Sequence, residues 1–115
     1  MRKPRRDEVW LVRFPFTDLT TSKSRPALVV AVHGEDVIVV GIFSRSWSGP
    51  LRRTWLRIEA THPDFAQTGL KKTSMLKGER LAVIHESLLV YRLGTISHSL
   101  MQQVQRVLKL ALHLR

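Results

Sequence analysis

Short apolar runs rich in β-branched residues occupy the first third of the chain. Three of them, at residues 9–14, 27–33 and 37–43, consist mainly of valine, leucine, isoleucine and aromatic side chains. The last two are separated by Gly34-Glu35-Asp36, a short polar stretch typical of a hairpin turn. Because β-branched and aromatic side chains favour strands, these runs predict the first three strands of a sheet.

The middle of the chain predicts further short strands. Residues 54–59 alternate apolar and polar side chains, as a half-exposed strand does. Residues 81–84 and 95–96 are two more short apolar segments, which would complete a small barrel. Residues 62–67, which lie between the alternating segment and residues 81–84, predict a helical turn with Pro63 at its first position.

The last segment has the period of a helix. Ser99 and Gln102 have the spacing of a capping box. Apolar residues then follow at positions i, i+4, i+7, i+8 and i+11, which are Leu100, Val104, Val107, Leu108 and Ala111. This pattern predicts an amphipathic helix from Ser99 to Leu114. The predicted fold is therefore mainly β with a C-terminal helix.

Composition indicates one small basic domain. The chain has 115 residues, 19 Lys and Arg against 9 Asp and Glu, a formal charge of +10 and no cysteine. This length suits a single core, predicted over residues 7–115 after a basic tail at residues 1–6. The charge favours a polyanionic partner. No apolar run approaches the ~20 residues of a membrane span, and acidic residues rather than a signal-peptide core follow the tail, so a cytoplasmic protein is expected.

One arginine stands where a polar loop enters a buried strand. Lys23-Ser24-Arg25-Pro26 leads directly into the apolar run 27–30. Pro26 disfavours helical backbone at Arg25, so the guanidinium is expected at a sheet edge with little freedom of direction. A planar guanidinium bonds two oxygens of one phosphate at once, which makes Arg25 a candidate phosphate ligand.

This segment, together with others, resembles the MazF/PemK family of bacterial toxins. The similarity begins at residues 7–12, includes the Arg25-Pro26 element, and continues through residues 69–76 and 92–97 to the final helix. The resemblance implies an SH3-like β-barrel, a homodimer and a cognate acidic antitoxin. It also implies an endoribonuclease that needs no metal and cleaves single-stranded RNA, including mRNA, to 2′,3′-cyclic phosphate and 5′-hydroxyl ends.

Cleavage without a metal requires a base, a cation for the charge on the phosphoryl oxygens, and an acid. Arg25 is the predicted cation, and the alternative is that it pairs with Asp18 or Glu8 to fix the loop. The family usually carries a threonine where this chain has Phe43. Ser44 would then supply the hydroxyl, unless Phe43 belongs to the core and Ser44 begins a solvated loop.

Proton transfer is assigned to His85 and Glu86. A histidine titrates near neutrality and can act as acid or base, and Glu86 can orient it or take a proton itself. Adjacent strand residues point to opposite faces, so a common site would require the strand to end between them. The alternative is that His85 is structural.

Substrate binding is assigned to basic residues and one tryptophan. The loop over residues 44–53 contains cations for phosphates, an indole on which a base can stack, and no acid. The alternative is that the tryptophan packs on the barrel and the arginines are merely solvated. A second, less specific basic cluster comprises Lys71, Lys72, Lys77 and Arg80. The predicted RNA-binding residues are Lys23, Arg45, Trp47, Arg52, Arg53 and Lys72.

No cofactor or metal is expected, because the remaining histidines lack zinc-ligand spacing. Two other functions remain open at this point. One is a non-catalytic nucleic-acid-binding module on the same barrel, because the usual threonine is replaced by Phe43. The other is a poison of DNA gyrase, since a toxin of similar fold works in that way.

Overall fold

A computed structural model describes residues 3–14, 24–44 and 47–115 of the chain. These ranges contain six strands, two α-helices and one 3-10 turn. The strands are β1 (Glu8–Arg13), β2 (Ser24–His33), β3 (Asp36–Phe43), β4 (Trp55–Ile58), β5 (Ser74–His85) and β6 (Leu89–Thr95). The helices are α1 (Phe65–Thr68) and α2 (His98–Ala111), and the 3-10 turn is Glu86–Leu88.

The six strands form one antiparallel sheet in the order β4-β5-β3-β2-β1-β6. This architecture confirms the prediction of a mainly β domain with a C-terminal helix. The β2–β3 connection is the predicted hairpin: His33 pairs with Asp36 across Gly34, whose φ of 60° lies in the left-handed region that glycine favours.

The central strands bury both faces, which explains their nearly continuous apolar sequences. Val9, Leu28 and Val40 point to the cluster that is closed by α2, which contributes Leu100, Met101, Val104 and Val107. Their chain neighbours Trp10, Ala27, Val29 and Val39 point to a second cluster on the other face, which also contains Val12, Val37, Ile84 and Leu89. Helix α2 therefore covers only one face of the sheet.

The final helix begins earlier than predicted. Its N-cap is Ser97, whose hydroxyl accepts a hydrogen bond from the backbone N–H of Leu100 at 3.2 Å. The predicted capping box at Ser99 is therefore wrong. The helix also ends sooner, at Ala111, and His113 follows with a φ of 56°.

Strand β5 is much longer than the four residues predicted from its sequence, and its irregular centre explains the difference. Val40 pairs with Leu81 and Ile42 pairs with Leu76, so Gly41 of β3 faces four residues of β5, 77–80. We call residues 77–80 the β5 bulge. It breaks the alternation of apolar and polar residues on which a sequence prediction depends.

The predicted basic tail contacts the folded domain from Lys3 onward. Pro4 is buried, and the Lys3 ammonium lies 3.2 Å from a carboxylate oxygen of Glu86. The backbone N–H of Arg5 donates to the Glu8 carboxylate at 2.8 Å. Within the described ranges, the helices are all too short or too polar to cross a membrane.

Candidate functional site

An open cleft of about 1120 Å³ lies at one end of the sheet, where β2 begins, β3 ends and β5 begins. Arg25 of β2 and Phe43 of β3 stand side by side at this end, and Phe43 pairs with Met75 of β5. The cleft is lined by Arg25, Phe43, Ser44, Trp47, Arg57, Glu59, Ala60, Lys71, Lys72, Thr73, Ser74, Met75, Lys77 and Arg80.

The lining is strongly cationic. Among the described residues it contains six cations and a single carboxylate, that of Glu59. Arg57 lies beside Glu59, with 3.8 Å between its Nε and the carboxylate oxygen. Clefts lined by one sign of charge concentrate the opposite charge, so this cleft is suited to a polyanion. The six cations are Arg25, Arg57, Lys71, Lys72, Lys77 and Arg80.

Arg25 is half-buried, and its guanidinium lies 5.6 Å from the centre of the Phe43 ring. The alternative pairing with Glu8 does not occur: Arg25 pairs across the sheet with Val12, four residues along β1 from Glu8. The Glu8 carboxylate is buried and accepts hydrogen bonds from the Arg5 backbone and the Trp10 indole instead. The other proposed partner, Asp18, lies outside the described residues.

Phe43 is not a core residue. Its ring borders the cleft above Gly41, where an added Cβ would lie 3.0 Å from a ring carbon. Besides the Arg25 guanidinium, the ring contacts the Lys77 ammonium, 4.9 Å from its centre. Ser44, directly after β3, is exposed and lines the same cleft. The cleft therefore keeps a hydroxyl even though the expected threonine is absent.

Trp47 stands at the edge of the cleft with 48% of its surface exposed. Its indole N–H donates to the Pro50 carbonyl at 3.2 Å, and its backbone carbonyl accepts from Arg57 at 3.0 Å. Its ring packs edge-on against Trp55, with 5.3 Å between centroids. The alternative that Trp47 packs on the barrel is therefore half correct, because it is held in place and still presents a free surface to the cleft.

Glu79 in the β5 bulge fixes Trp55. Its carboxylate accepts hydrogen bonds from the Trp55 indole at 2.9 Å, the Thr54 hydroxyl at 2.7 Å and the Arg52 guanidinium at 2.9 Å. Burial raises the pKa of Glu79, but the hydrogen bonds from Thr54, Trp55, its own backbone and Arg52 outweigh it and lower the pKa to about 2. Arg52, which the sequence predicted to bind RNA, thus forms an ion pair with Glu79 instead.

The other predicted binding residues divide into three groups. Lys72 lines the cleft, and so do the remaining members of the second basic cluster. Arg53 is exposed but does not line the cleft. Lys23 and Arg45 lie outside the described residues.

His85 and Glu86 do not reach the cleft. His85 pairs with Asp36, seven residues along β3 from Phe43, which corresponds to a separation of about 23 Å. Its ring nitrogens contact Glu35 at 3.1 Å and Ser87 at 2.9 Å, and Glu86 pairs with Lys3. The structure therefore separates the predicted proton-transfer pair from Arg25 and Ser44.

Sequence reasoning missed Arg57 and Glu59. Both lie on or beside the segment predicted to alternate, in which every second residue shares a face, and this signal could have identified the pair. In the part of the chain that the structure describes, no group of three or more His, Asp or Glu could hold a metal ion.

Comparisons with known proteins agree on one family. The family model for PemK-like, MazF-like toxins of type II toxin-antitoxin systems matches residues 5–112. Among solved structures, an endoribonuclease in complex with its cognate antitoxin from a mycobacterial species superposes with a TM-score of 0.73 at 19% identity, covering 98% of each chain.

Two further solved structures have the same fold. The Mycobacterium tuberculosis toxin MazF-mt6 gives a TM-score of 0.72 at 17% identity, covering 94% of this chain and 98% of that one. MazF from Deinococcus radiodurans gives a TM-score of 0.69 at 17% identity, covering 96% of this chain and 97% of that one. No curated protein sequence matches this chain significantly.

Proposed function

The chain belongs to the PemK-like, MazF-like toxins of type II toxin-antitoxin systems, and we propose that it is a metal-independent endoribonuclease. It cleaves single-stranded RNA to 2′,3′-cyclic phosphate and 5′-hydroxyl ends. The observation that carries this proposal is the cleft in which six cations surround Phe43, Ser44 and Trp47 beside one carboxylate.

The cleft suits a single strand better than a duplex. A base stacks on the exposed surface of Trp47, a contact worth ~1–3 kcal/mol per base. The neighbouring cations Arg57, Lys71 and Lys72 bind successive phosphates of the strand. Stacking tolerates any base and phosphate contacts carry no sequence information, so these features provide affinity rather than sequence choice.

The chemistry centres on the phosphate held by Arg25. The 2′-oxygen attacks the phosphorus and the 5′-oxygen leaves, while the guanidinium stabilises the charge on the phosphoryl oxygens. The Ser44 hydroxyl donates a hydrogen bond to the same group. Glu59, the carboxylate of the cleft, replaces His85 and Glu86 as the base that takes the 2′-proton. The leaving oxygen takes its proton from water on the open side of the cleft.

The partners follow from the family and from the charge. A mycobacterial endoribonuclease and MazF of Deinococcus radiodurans are each solved in complex with an antitoxin. For this chain we propose a cognate antitoxin whose acidic segment occupies the cationic cleft, and a homodimer of the toxin. We also propose a cytoplasmic location, because RNA and a cognate antitoxin would both be encountered there.

The decisive experiment incubates the pure protein with end-labelled single-stranded RNA in EDTA. Fragments ending in 2′,3′-cyclic phosphate and 5′-hydroxyl are expected. RNA binding without cleavage would replace this proposal with a non-catalytic binding module. Inhibition of gyrase supercoiling, with no cleavage, would replace it with a gyrase poison.

A further inference from the structure

We propose that Arg25, Phe43 and Lys77 form one phosphate-binding unit, in which Phe43 positions both cations and Lys77 is a second phosphate ligand. This inference rests on the proposed function of the cleft and assigns a role to the residue that departs from the usual family sequence. We call these three residues the cation–ring unit.

The two cations share one ring. The Arg25 guanidinium and the Lys77 ammonium lie 5.6 and 4.9 Å from the Phe43 centroid. Both distances are within the ~6 Å range of a cation–π contact. The Lys77 ammonium also lies 4.6 Å from the Trp55 centroid, so it is held between two aromatic side chains.

An aromatic ring holds a cation without neutralising it. Among the described residues, no carboxylate lies within ion-pair distance of Arg25 or Lys77. Arg52 provides the contrast, because it lies 5.2 Å from the Trp55 centroid but also bonds Glu79 at 2.9 Å. Within the described part of the chain, the cation–ring unit therefore keeps its charge and its N–H donors for a ligand.

Two like charges near one ring repel each other, and a phosphate between them would remove that repulsion. The fold maintains the arrangement despite this cost. Lys77 is half-buried in the β5 bulge, whose next residue, Gly78, donates its backbone N–H to the Thr54 carbonyl at 2.7 Å. Gly41 leaves space beneath the Phe43 ring, since an added Cβ would lie 3.0 Å from it.

The test measures binding of a 2′-O-methyl RNA oligomer, which has no free 2′-hydroxyl and cannot be cleaved by the proposed route. The variants are Phe43→Leu, Phe43→Tyr and Lys77→Gln, with Lys72→Gln as the matched control for loss of one charge in the same cleft. Phe43→Leu is combined with each lysine variant, and melting temperatures are recorded for all of them.

We expect Phe43→Leu to weaken binding by roughly two- to fivefold for each cation that loses its ring contact, and Phe43→Tyr to bind as the wild type does. The variant that combines Phe43→Leu with Lys77→Gln should lose less affinity than the product of the fold-losses of the two single variants. For Phe43→Leu combined with Lys72→Gln, the fold-loss in affinity should equal the product of the two single fold-losses.

Wild-type affinity in Phe43→Leu, or independent losses for Phe43 and Lys77, would overturn the inference. If Phe43→Leu does not fold, the single lysine variants decide: a larger loss for Lys77→Gln than for Lys72→Gln supports the unit, and equal losses overturn it. The oligomer reports binding alone, so a wild-type protein that binds it with this coupling but does not cleave RNA would contradict the proposed function and leave the cation–ring unit in place.

Discussion

The Glu79 carboxylate accepts a hydrogen bond from the Trp55 indole at 2.9 Å and thereby joins the β5 bulge to strand β4. Trp47 packs edge-on against Trp55, and the Lys77 ammonium lies over the same ring. Glu79 does not line the cleft, but it holds Trp55, which contacts the cleft residues Trp47 and Lys77. Its loss should therefore affect both stability and RNA binding.

Replacing Glu79 with Gln should make stability less dependent on pH. The folded-state pKa is depressed from 4.5 to about 2, so the contribution of Glu79 is present above pH 4.5 and is lost as the pH falls to about 2. The side chain is 32% exposed, so after allowance for solvent screening the contribution is about 1 kcal/mol. Urea unfolding of the wild type and of Glu79→Gln should give a difference in the free energy of unfolding at pH 7 that disappears near pH 2. A difference that stays constant with pH would contradict this prediction.

Arg25→Ala should strongly reduce the rate of RNA cleavage without unfolding the protein. Removing a donor that stabilises developing charge typically costs about 10²–10³ in rate. Arg25 is half-buried at the end of the sheet and is a member of neither apolar cluster, so the melting temperature should change little. Cleavage assays and thermal melting test this, with Arg106→Ala on the exposed face of α2 as the control. Retained cleavage, or loss only through unfolding, would remove Arg25 from the mechanism.

Trp47→Ala and Lys71→Gln should weaken RNA binding in different ways. Loss of stacking should cost ~1–3 kcal/mol with little change in salt dependence, because stacking releases few counterions. Loss of one phosphate contact should instead reduce the log–log salt slope by about 0.7. Titrations at several salt concentrations separate the two effects. Equal slopes for Lys71→Gln and the wild type would place the phosphates elsewhere.

The sequence predicted the Arg25 side of the cleft because that side depends on local constraints. Pro26 restricts the backbone of Arg25, and the strand runs around it are clearly apolar. The opposite wall depends on β5, whose bulge at residues 77–80 changes which residues face the cleft. Periodicity cannot reveal such a bulge, and the assignment of His85 depended on knowing where β5 begins and ends.

His85→Ala and Glu86→Gln should therefore retain RNA cleavage. Both side chains lie at the far end of β5 and contact Glu35, Ser87 and Lys3 rather than the cleft. Glu59→Gln should instead lower the cleavage rate without weakening RNA binding, because it removes the proposed base and one negative charge but hardly changes the size of the side chain. Rates and affinities of the three variants test this assignment. A loss of cleavage in His85→Ala with normal melting would return the proton transfer to the original pair.

The end of α2 should form part of a dimer interface. Leu110, Leu112 and Leu114 are 37%, 53% and 60% exposed, although the main apolar stripe of the helix is buried against the sheet. Exposed leucines grouped at one helix end indicate a surface that is covered by another chain, and a symmetric pair would cover both copies. Light scattering should give about twice the 13.2 kDa mass of one chain. Leu112→Glu should shift the protein toward the monomer, whereas Gln105→Glu on the exposed face of the same helix should not. A monomeric wild type would contradict dimerisation. A Leu112→Glu variant that remains dimeric would place the interface elsewhere.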